Sequence, residues 1–498
     1  IRSRVAVCAS CRVAFGSELA LKDSMQRSEF KIVICGGGLA GLMTALALHG
    51  ALSSAYQIVL IDEGEDADDD LSYGSVTLPT AYDFLRGLGL DEPVLFSRSN
   101  TSFSFGSHYV DWPGTDTDWI QCHHQILPVI GGVPLNHHLT RNQRSLAPLL
   151  ISGVAARHGK FAHPPNDASN PLSRAEYGYQ FSAHQWTRLL AEKVQTSGVS
   201  RSASSIETVN TDNGEVISLD LTSGETITAD LFIDCTGPAR KLLSAVGHSF
   251  ATIRRISLTH SLKSASQLGP ACRRVQASAQ GWSAHTFLQD SVHTLMIQKD
   301  DKAVDATPYA LGALDVAWHN NTVAIGAAAS AHDPLTPGPM VMLQRDIERL
   351  LDLIPVARTF DMEQREFNRR FQNDVNHTDM FANAFYLNEA PTSSFWSEAA
   401  SAAQSPDLNR KIVQFESRGI LTKFDLEPFN DEDWTVLHHG LGRRVARYDL
   451  QVEATARLDI DQQLDGMARA IEQLVGRIPP HHVYVSNMKR YFEKQKYA

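Results

Sequence analysis

The sequence predicts an α/β fold built around a parallel sheet, and three observations carry that prediction. The run Phe30–Cys35 is apolar and rich in β-branched residues, as a strand buried on both faces requires. A G-x-G-x-x-G pattern made by Gly36, Gly38 and Gly41 follows it and opens a helical pattern. A second apolar run ends at Asp62, 21 residues after Gly41. Together these features predict a dinucleotide-binding fold of the Rossmann type.

Bulk properties limit the classes of function. The 498 residues suffice for two or three domains, and 43% hydrophobic with 20% charged residues is typical of a globular enzyme. The formal charge of −11, without a basic run, argues against a nucleic-acid partner. No apolar run approaches the roughly 18 residues that a membrane helix needs. The six cysteines are scattered, which suits a reducing compartment, so a cytoplasmic protein is expected.

Two groups of residues resemble metal ligands without forming a metal-site pattern. Cys8 and Cys11 make a C-x-x-C pair that no second pair follows, so we interpret the pair as accidental. Two short histidine runs are interpreted as surface-loop residues, because their spacing gives no shared face. These are His123, His124, His137 and His138. No metal site is predicted.

The glycine pattern has a physical reason at each position. Glycine lets the backbone turn tightly after the strand and approach a pyrophosphate at the positive end of the following helix. Leu39 and Ala40 lie in the same turn, and we include them among the cofactor-binding residues. Asp62 is placed to accept a hydrogen bond from a ribose hydroxyl. The local prediction is a dinucleotide site.

Two later segments favour FAD as the dinucleotide. Residues 214–230 read as two alternating strands with a turn at Gly224, and residues 231–235 read as a third, buried strand. That strand carries a D-x-x-G pattern, Asp234 and Gly237, as in FAD-dependent monooxygenase-like enzymes. No second glycine pattern follows a strand, so a resident NAD(P)H site is not predicted.

The second of these segments contains the turn D-P-L-T-P-G-P-M at residues 333–340. A strand at residues 322–325 precedes it, and small residues after Gly326 let the backbone pass close to a ribityl chain. The amides of Gly338 and Met340 begin the next helix and would face the isoalloxazine ring. We therefore expect this turn to hold the redox edge of a flavin.

Several further segments, in the right order, resemble the flavin-dependent tryptophan halogenases over about residues 30–485. They are S-Y-G-S-V-T-L-P (72–79), S-F-S-F-G-S-H-Y-V-D-W (102–112), D-L-F-I-D-C-T-G (230–237), the helix pair of 366–396 and I-P-P-H-H-V-Y-V (478–485). The resemblance implies reduced FAD delivered by a separate flavin reductase, reaction with oxygen, and a small aromatic or indolic substrate. It also implies a C-terminal helical lobe that caps the substrate site.

The expected domain organisation follows the same resemblance. Residues 29–364 are expected to form a discontinuous FAD-binding domain (about 29–95, 175–260 and 310–362) with an inserted β-rich substrate region. Residues 365–498 are expected to form the helical lobe. Residues 1–28, in which Met25 is the first methionine, are expected to be a disordered leader. A homodimer is left open.

The chain departs from the family at the positions that carry its chemistry. The lysine of the family's S-F-K segment is Ser104 here, and a hydroxyl cannot take the part of an ammonium. The glutamate of the family's P-L-E-S-T-G segment is Thr336. The Thr-Gly pair that supplies a halide site is Gly338 and Pro339, which offer neither a hydroxyl nor a second backbone N–H. The resemblance therefore implies a flavin site in which a halide is poorly held.

A third departure concerns the family's W-x-W-x-I-P segment. Trp282 remains, but the second tryptophan is Ala284, which leaves space for a substrate or for other side chains. His285 is a candidate general base there, although a structural histidine is the alternative. His108 lies four residues after Ser104, roughly 13 Å further along a regular strand, and replaces the lysine only if the chain bends.

The sequence therefore predicts an FAD-dependent oxidoreductase of monooxygenase type that acts on an aromatic compound and does not halogenate. Ser104, Thr336 and His285 are the candidate catalytic positions. Two alternatives stay open: a tryptophan halogenase with a rearranged site, and a flavin-binding protein without catalytic turnover.

Overall fold

The computed structural model describes residues 30–62, 69–299, 306–355, 359–387, 393–454 and 456–496. The expected leader, with Cys8 and Cys11, lies outside these ranges. The strands are β1 (Phe30–Cys35), β2 (Tyr56–Ile61), β3 (Ser102–Ser104), β4 (Gly106–Val110), β5 (Trp119–Cys122), β6 (Val129–Ile130), β7 (Val133–Pro134), β8 (Gly178–Gln180), β9 (Ser200–Ser202), β10 (Ile206–Asp212), β11 (Glu215–Leu221), β12 (Thr226–Ile227), β13 (Leu231–Asp234), β14 (Phe250–Ser264), β15 (Arg273–Ser278), β16 (Gly281–Phe287), β17 (Ser291–Lys299), β18 (Thr307–Leu314), β19 (Trp318–His319), β20 (Thr322–Ala324) and β21 (Ser330–Ala331).

The helices alternate with strands in the first half of the chain and dominate the last third. They are α1 (Leu39–Ala51), α2 (Ala81–Gly87), α3 (Glu92–Arg98), α4 (Leu135–Asn142), α5 (Ile151–Arg157), α6 (Ala183–Ser197), α7 (Lys241–Ala245), α8 (Gly338–Asp352), α9 (Asp361–Ala384), α10 (Ser394–Ala402), α11 (Pro406–Arg418), α12 (Asp431–Gly440), α13 (Arg457–Arg477) and α14 (His481–Lys496). Within the described ranges, no helix is long and apolar enough to cross a membrane.

A six-stranded sheet in the order β19-β20-β13-β1-β2-β9 forms the dinucleotide-binding unit, and its strands are parallel except for the β19–β20 pair. Strand β1 is apolar throughout because both of its faces are covered. Ile32 and Ile34 pack into the core shared with α1, while Val33 and Cys35 pack into a smaller core beneath β10, β11 and β12. This arrangement confirms the predicted α/β fold with a parallel sheet.

A second sheet of eight strands, in the order β21-β18-β14-β17-β16-β15-β4-β5, is antiparallel except where β15 runs parallel to β4. The alternation of side chains in β16 shows which face is covered. Trp282, Ala284 and Thr286 are buried, whereas Ser283 and His285 are partly exposed. Because its covered face packs against the C-terminal helices, this sheet connects the parallel sheet to the helical region.

Helices α9, α10 and α12 cover the inner face of the eight-stranded sheet. Phe381 on α9, Trp396 on α10 and Trp434 on α12 share one apolar core with Trp282 of β16. Helix α12 begins with a capping box, in which the Asn430 side chain accepts from the backbone of Asp433 and the Asp433 side chain accepts from the backbone of Asn430. The C-terminal region is helical, as predicted, and α9 spans the expected domain boundary at residue 364.

Candidate functional site

The turn after β1 requires glycine for two different reasons. Gly36 has φ of +119°, and a Cβ built there would lie 2.3 Å from the carbonyl oxygen of Cys235. A Cβ on Gly41 would lie 1.8 Å from the carbonyl oxygen of Gly36, so α1 packs directly on the strand end. The chain therefore turns tightly from strand into helix, and the N-terminus of α1 points to the carboxyl edge of the sheet.

Two acidic residues predicted at the cofactor lie at the same edge. Asp62 ends the β2 segment, is 3% exposed and pairs with Arg201. Its Oδ1 would be 2.0 Å from a Cβ on Gly37, so it lies against the glycine turn. Asp234 is fully buried and accepts hydrogen bonds from the amides of Thr236 at 3.0 Å and Leu242 at 2.9 Å. Asp234 therefore fixes the backbone that follows β13.

A short 3-10 helix, Asp69–Tyr73, approaches the cofactor edge from the side. The amide of Leu39 donates to the carboxylate of Asp70 at 3.1 Å. The amide of Ala327 donates to the Tyr73 hydroxyl at 3.0 Å, and the amide of Gly326 donates to Asp346 Oδ2 at 3.0 Å. The glycine turn at the start of α1 suits the pyrophosphate of FAD. The amides of Leu39 and Ala327 already donate to Asp70 and Tyr73 within the chain.

The turn at residues 333–337 is held from below by a buried cation. Arg273 is fully buried, and its guanidinium donates to the carbonyl of Pro334 at 3.0 Å, to the carbonyl of Leu335 and to Ser107 Oγ at 2.9 Å. Tyr109 donates to the Leu335 carbonyl at 2.9 Å. Burial lowers the pKa of Arg273, but a guanidinium keeps its charge far above neutral pH. These hydrogen bonds fix the turn against strands β15 and β4.

The other end of the turn joins α8. Thr336 is 2% exposed, and its hydroxyl accepts a hydrogen bond from the amide of Gly338 at 3.2 Å, which closes a local turn just before α8. Pro337 and Pro339 flank Gly338 and have no N–H to donate. A Cβ on Gly338 would lie 2.8 Å from Thr378 Cγ2, which explains a small residue at this place. Met340 is 5% exposed and packs in the core beside α1.

Ser104, at the lysine position implied by the resemblance, is fully buried beside His123. Its hydroxyl lies 3.2 Å from His123 Nε2 and 3.1 Å from the carbonyl oxygen of Gly106. Burial, followed by the nearby charges of His124 and Arg273, lowers the pKa of His123 to about 3. His123 is therefore a neutral imidazole at physiological pH and cannot stand in for an ammonium group.

A small cavity lies between His123 and the turn. Its lining comes from β4, β5, the turn and the C-terminal helices: Leu78, Ser107, Tyr109, Gln121, Cys122, His123, Thr336, Pro337, Phe381, Phe385, Phe429 and Asp433. Four aromatic rings form its walls, and none of these described lining residues carries a permanent positive charge. The lining is therefore mostly apolar, with a few polar groups.

Two of the polar lining groups are tied to the helical region. Asp433 Oδ1 accepts the amide of His124 at 2.9 Å, and Gln121 Nε2 donates to the backbone carbonyl of Asp433 at 2.9 Å. Burial raises the pKa of Asp433. The Oε1 atom of Gln121 is buried with no protein partner, which leaves one acceptor at the cavity. A ligand N–H is the complement of that acceptor.

Three positions considered from the sequence are not part of this cavity lining. Ala284 is fully buried in the apolar core between Val275 and Leu295. His285 is on the opposite face of β16, and its Nδ1 lies 2.9 Å from Thr294 Oγ1. His108 pairs with Asp118. Of the three candidate catalytic positions, Thr336 lines the cavity, Ser104 contacts the lining residue His123, and His285 lies outside the lining.

The sequence interpretation missed His123. Its prediction as a surface-loop residue is wrong, because His123 is 4% exposed, and the same holds for His138, which is 2% exposed. The signal was present in the preceding run W-I-Q-C, whose four residues are all buried in β5, so that the next side chain continues into the core. In the part of the chain that the structure describes, no group of three or more metal-ligating side chains is arranged to hold a metal ion.

Comparisons with known proteins agree with this architecture. The family profile described as tryptophan halogenase matches residues 31–457. Among curated relatives, the tryptophan 6-halogenase SttH of Streptomyces toxytricini is 23% identical, covering 78% of this chain and 84% of that protein. The tryptophan 7-halogenase RebH of Lentzea aerocolonigenes is also 23% identical, covering 78% of this chain and 82% of RebH.

Solved structures show the same fold. BrvH, a flavin-dependent halogenase from Brevundimonas sp. BAL3, superposes with a TM-score of 0.84 at 23% identity, covering 92% of this chain and 98% of BrvH. Xcc4156, a flavin-dependent halogenase from Xanthomonas campestris, gives a TM-score of 0.83 at 24% identity with the same coverage. The profile match covers far more than half of the chain, and the protein therefore belongs to the tryptophan halogenase family.

Proposed function

We propose that this protein is an FAD-dependent oxidoreductase that oxidises a small aromatic or indolic compound with reduced FAD and oxygen, and that it does not halogenate. The observation that carries the proposal is the cavity beside the 333–337 turn. It has aromatic walls, yet its described lining has neither a lysine nor a glutamate where the family's chemistry needs them.

The residues have separate parts in this proposal. Gly36, Gly38, Gly41 and Asp62 would hold the pyrophosphate and ribose of FAD, whose bound ring supplies the two-electron chemistry that activates oxygen. Phe381 would contact the aromatic substrate. The chain itself excludes bulk water from the cavity, because the lining is almost wholly buried.

The cavity lacks the groups that deliver a halogen. Ser104 already makes hydrogen bonds to Gly106 and His123, and a hydroxyl gives no haloamine. The Thr336 hydroxyl already accepts a hydrogen bond from the Gly338 amide, and Pro339 has no N–H for a halide. Loss of one prealigned donor commonly costs on the order of 3 kcal/mol of transition-state stabilisation. Several such losses, at successive steps of the reaction, support the absence of halogenation.

The test combines FAD, a flavin reductase, NADH, oxygen and bromide with tryptophan or indole, and follows products by mass spectrometry. We expect an oxygenated product, or hydrogen peroxide alone, at a rate that bromide does not change. Ser104→Lys alone should also give no halogenated product, because a halide site is still missing. A bromine isotope doublet that requires the enzyme would refute the proposal and favour a halogenase with a rearranged site, the function of the family's named members.

A second candidate is a flavin-binding protein without turnover, and it is favoured by the absence of a lysine and a glutamate from the described cavity lining. Reduced protein-bound flavin that reoxidises in air no faster than free reduced flavin would support this candidate.

We further infer a cytoplasmic protein, since the four described cysteines are free thiols. We also infer a flavin reductase as its partner. Residues 29–364 and 365–498 remain our proposed domains.

A further inference from the structure

A buried carboxylate occupies the positive end of α1. Both oxygens of Asp70 lie 3.1 Å from the Leu39 amide, and Thr187 Oγ1 donates to Oδ2 at 2.8 Å. Asp70 is 6% exposed. The Asp70 carboxylate therefore occupies the helix N-terminus at which a glycine-rich turn commonly binds a pyrophosphate.

The glycine turn shows how closely the carboxylate approaches. A Cβ on Gly38 would lie 2.9 Å from Asp70 Oδ1, so the space that glycine keeps open is in contact with this side chain. A diphosphate needs the same approach to the backbone and the same amide. Two anions at one amide repel each other, and a single N–H cannot serve both fully. Asp70 and a pyrophosphate therefore exclude each other.

A second side chain of the same 3-10 helix makes the same kind of contact across the cleft. Tyr73 is 5% exposed, and its hydroxyl accepts the amide of Ala327 at 3.0 Å. A Cβ on Gly326 would lie 2.3 Å from Tyr73 Oη. Gly326 is the glycine expected beside the ribityl chain. Burial raises the pKa of Tyr73 well above its ordinary value, so the phenol stays neutral. One element thus covers two separate parts of the expected FAD contact.

We propose that Asp70 and Tyr73 act as an internal competitor for the cofactor cleft, so that FAD enters only when residues Asp69–Tyr73 move away from α1 and from Ala327. The inference rests on the proposed function, because it assumes that FAD is the ligand of this cleft. The apparent affinity for FAD is then reduced by the fraction of molecules in which the internal contacts are made. FAD binding then depends on the position of residues Asp69–Tyr73.

Weakening the internal contacts should strengthen FAD binding. Asp70→Asn keeps the shape of the side chain but removes the charge, and charge-assisted hydrogen bonds are roughly twice as strong as neutral ones. We expect the Kd for FAD to fall by about tenfold. Tyr73→Phe removes only the contact with Ala327 and should lower the Kd by about threefold. Asp83→Asn and Tyr82→Phe make the same chemical changes at exposed positions and should leave the Kd unchanged.

The experiment titrates FAD into each full-length variant and follows quenching of tryptophan fluorescence, with circular dichroism as the check on folding. Hydrogen exchange of the unmodified protein gives a second reading. On addition of FAD, amides of residues 70–77 should exchange faster, while amides of α1 should exchange more slowly. This arm remains informative if a variant fails to fold.

The outcomes separate the inference from the proposed function. Tighter binding by Asp70→Asn and Tyr73→Phe, with both surface controls unchanged, supports internal competition. Equal or weaker binding by both variants, with normal binding by the unmodified protein, overturns the inference and leaves the FAD-dependent function intact. Slower exchange of residues 70–77 on FAD addition also overturns it. Absence of FAD binding in every variant, Asp70→Asn included, overturns both.

Discussion

Acid should destabilise this protein well above the pH at which carboxylates titrate, because several histidines are buried in neutral form. His123 has its pKa lowered to about 3 and His293 and His481 to about 4, in each case mainly by burial. Burial lowers the pKa of His438 well below its ordinary value. An unfolded histidine titrates near 6.5. Between these pKa values the unfolded chain binds more protons than the folded chain.

The sign and the size of the change in stability with pH follow from that difference in proton binding. Each histidine contributes stability that is fully present above pH 6.5 and is lost as the pH falls toward the folded pKa. One pH unit below 6.5 the loss is about 1.4 kcal/mol per histidine, so four histidines cost about 6 kcal/mol at pH 5.5. Asp346 and Asp433, whose pKa values burial raises, act in the opposite sense and make this an upper figure. Domains commonly have only about 5–15 kcal/mol of stability.

The local contacts explain why these rings resist protonation. His438 Nδ1 accepts a hydrogen bond from Arg443 at 3.0 Å, so protonation would place two positive groups in contact. His481 Nδ1 lies 2.9 Å from the Gly269 carbonyl, and its Nε2 is buried with no protein partner. A proton on either ring would create a buried charge without a counterion.

Thermal unfolding at a fixed scan rate, followed by circular dichroism, tests the prediction. The entropy of unfolding of a chain this long is about 1 kcal/mol/K, so the melting temperature should fall by about 6 °C from pH 7.5 to 5.5. His481→Asn, which keeps a donor for Gly269, should reduce that fall by about a quarter. A melting temperature that changes by less than 1 °C between the two pH values would refute the reasoning.

Two further predictions concern the cleft and the turn. Gly38→Val should abolish FAD binding in a titration, because a branched side chain fills the approach of the pyrophosphate, whereas Gly50→Val, near the other end of α1 and with open space around its Cβ, should keep it. Arg273→Met should lower the melting temperature by about 2–5 °C, since buried carbonyls of the 333–337 turn lose their donors. Arg274→Met changes an exposed neighbour and should have no such effect; an equal loss would contradict the assignment of Arg273 as the anchor.

The parallel sheet was predictable because its signals are local. Strand β1 has the predicted bounds, and β20 ends at Ala324, one residue before the prediction. Helix α1 begins at Leu39, inside the glycine pattern that was expected to open it. A short apolar run beside a glycine turn is typical of a strand that is covered on both faces, and few other structures fit this pattern.

The cavity was less predictable because its walls come from distant segments. Ser104 and Thr336 were placed near each other by resemblance alone, and the structure links them through His123, which no spacing connects to either. Arg273 also gave no sequence signal. It begins strand β15, and its function as an anchor is visible only in the folded chain, where it donates to the carbonyls of Pro334 and Leu335. Such tertiary contacts are invisible to periodicity.

Helix α9 connects the two ends of the site. Asp346, which accepts the amide of Gly326, also accepts from Arg349, and Arg349 pairs with Asp374 on α9. About two turns further along the same helix, Phe381 lines the cavity. These contacts form a continuous path from the cleft to the wall of the cavity. If FAD in the cleft changes the affinity of the cavity for an aromatic compound, thermodynamic reciprocity requires that compound to change the affinity of the cleft for FAD by the same factor.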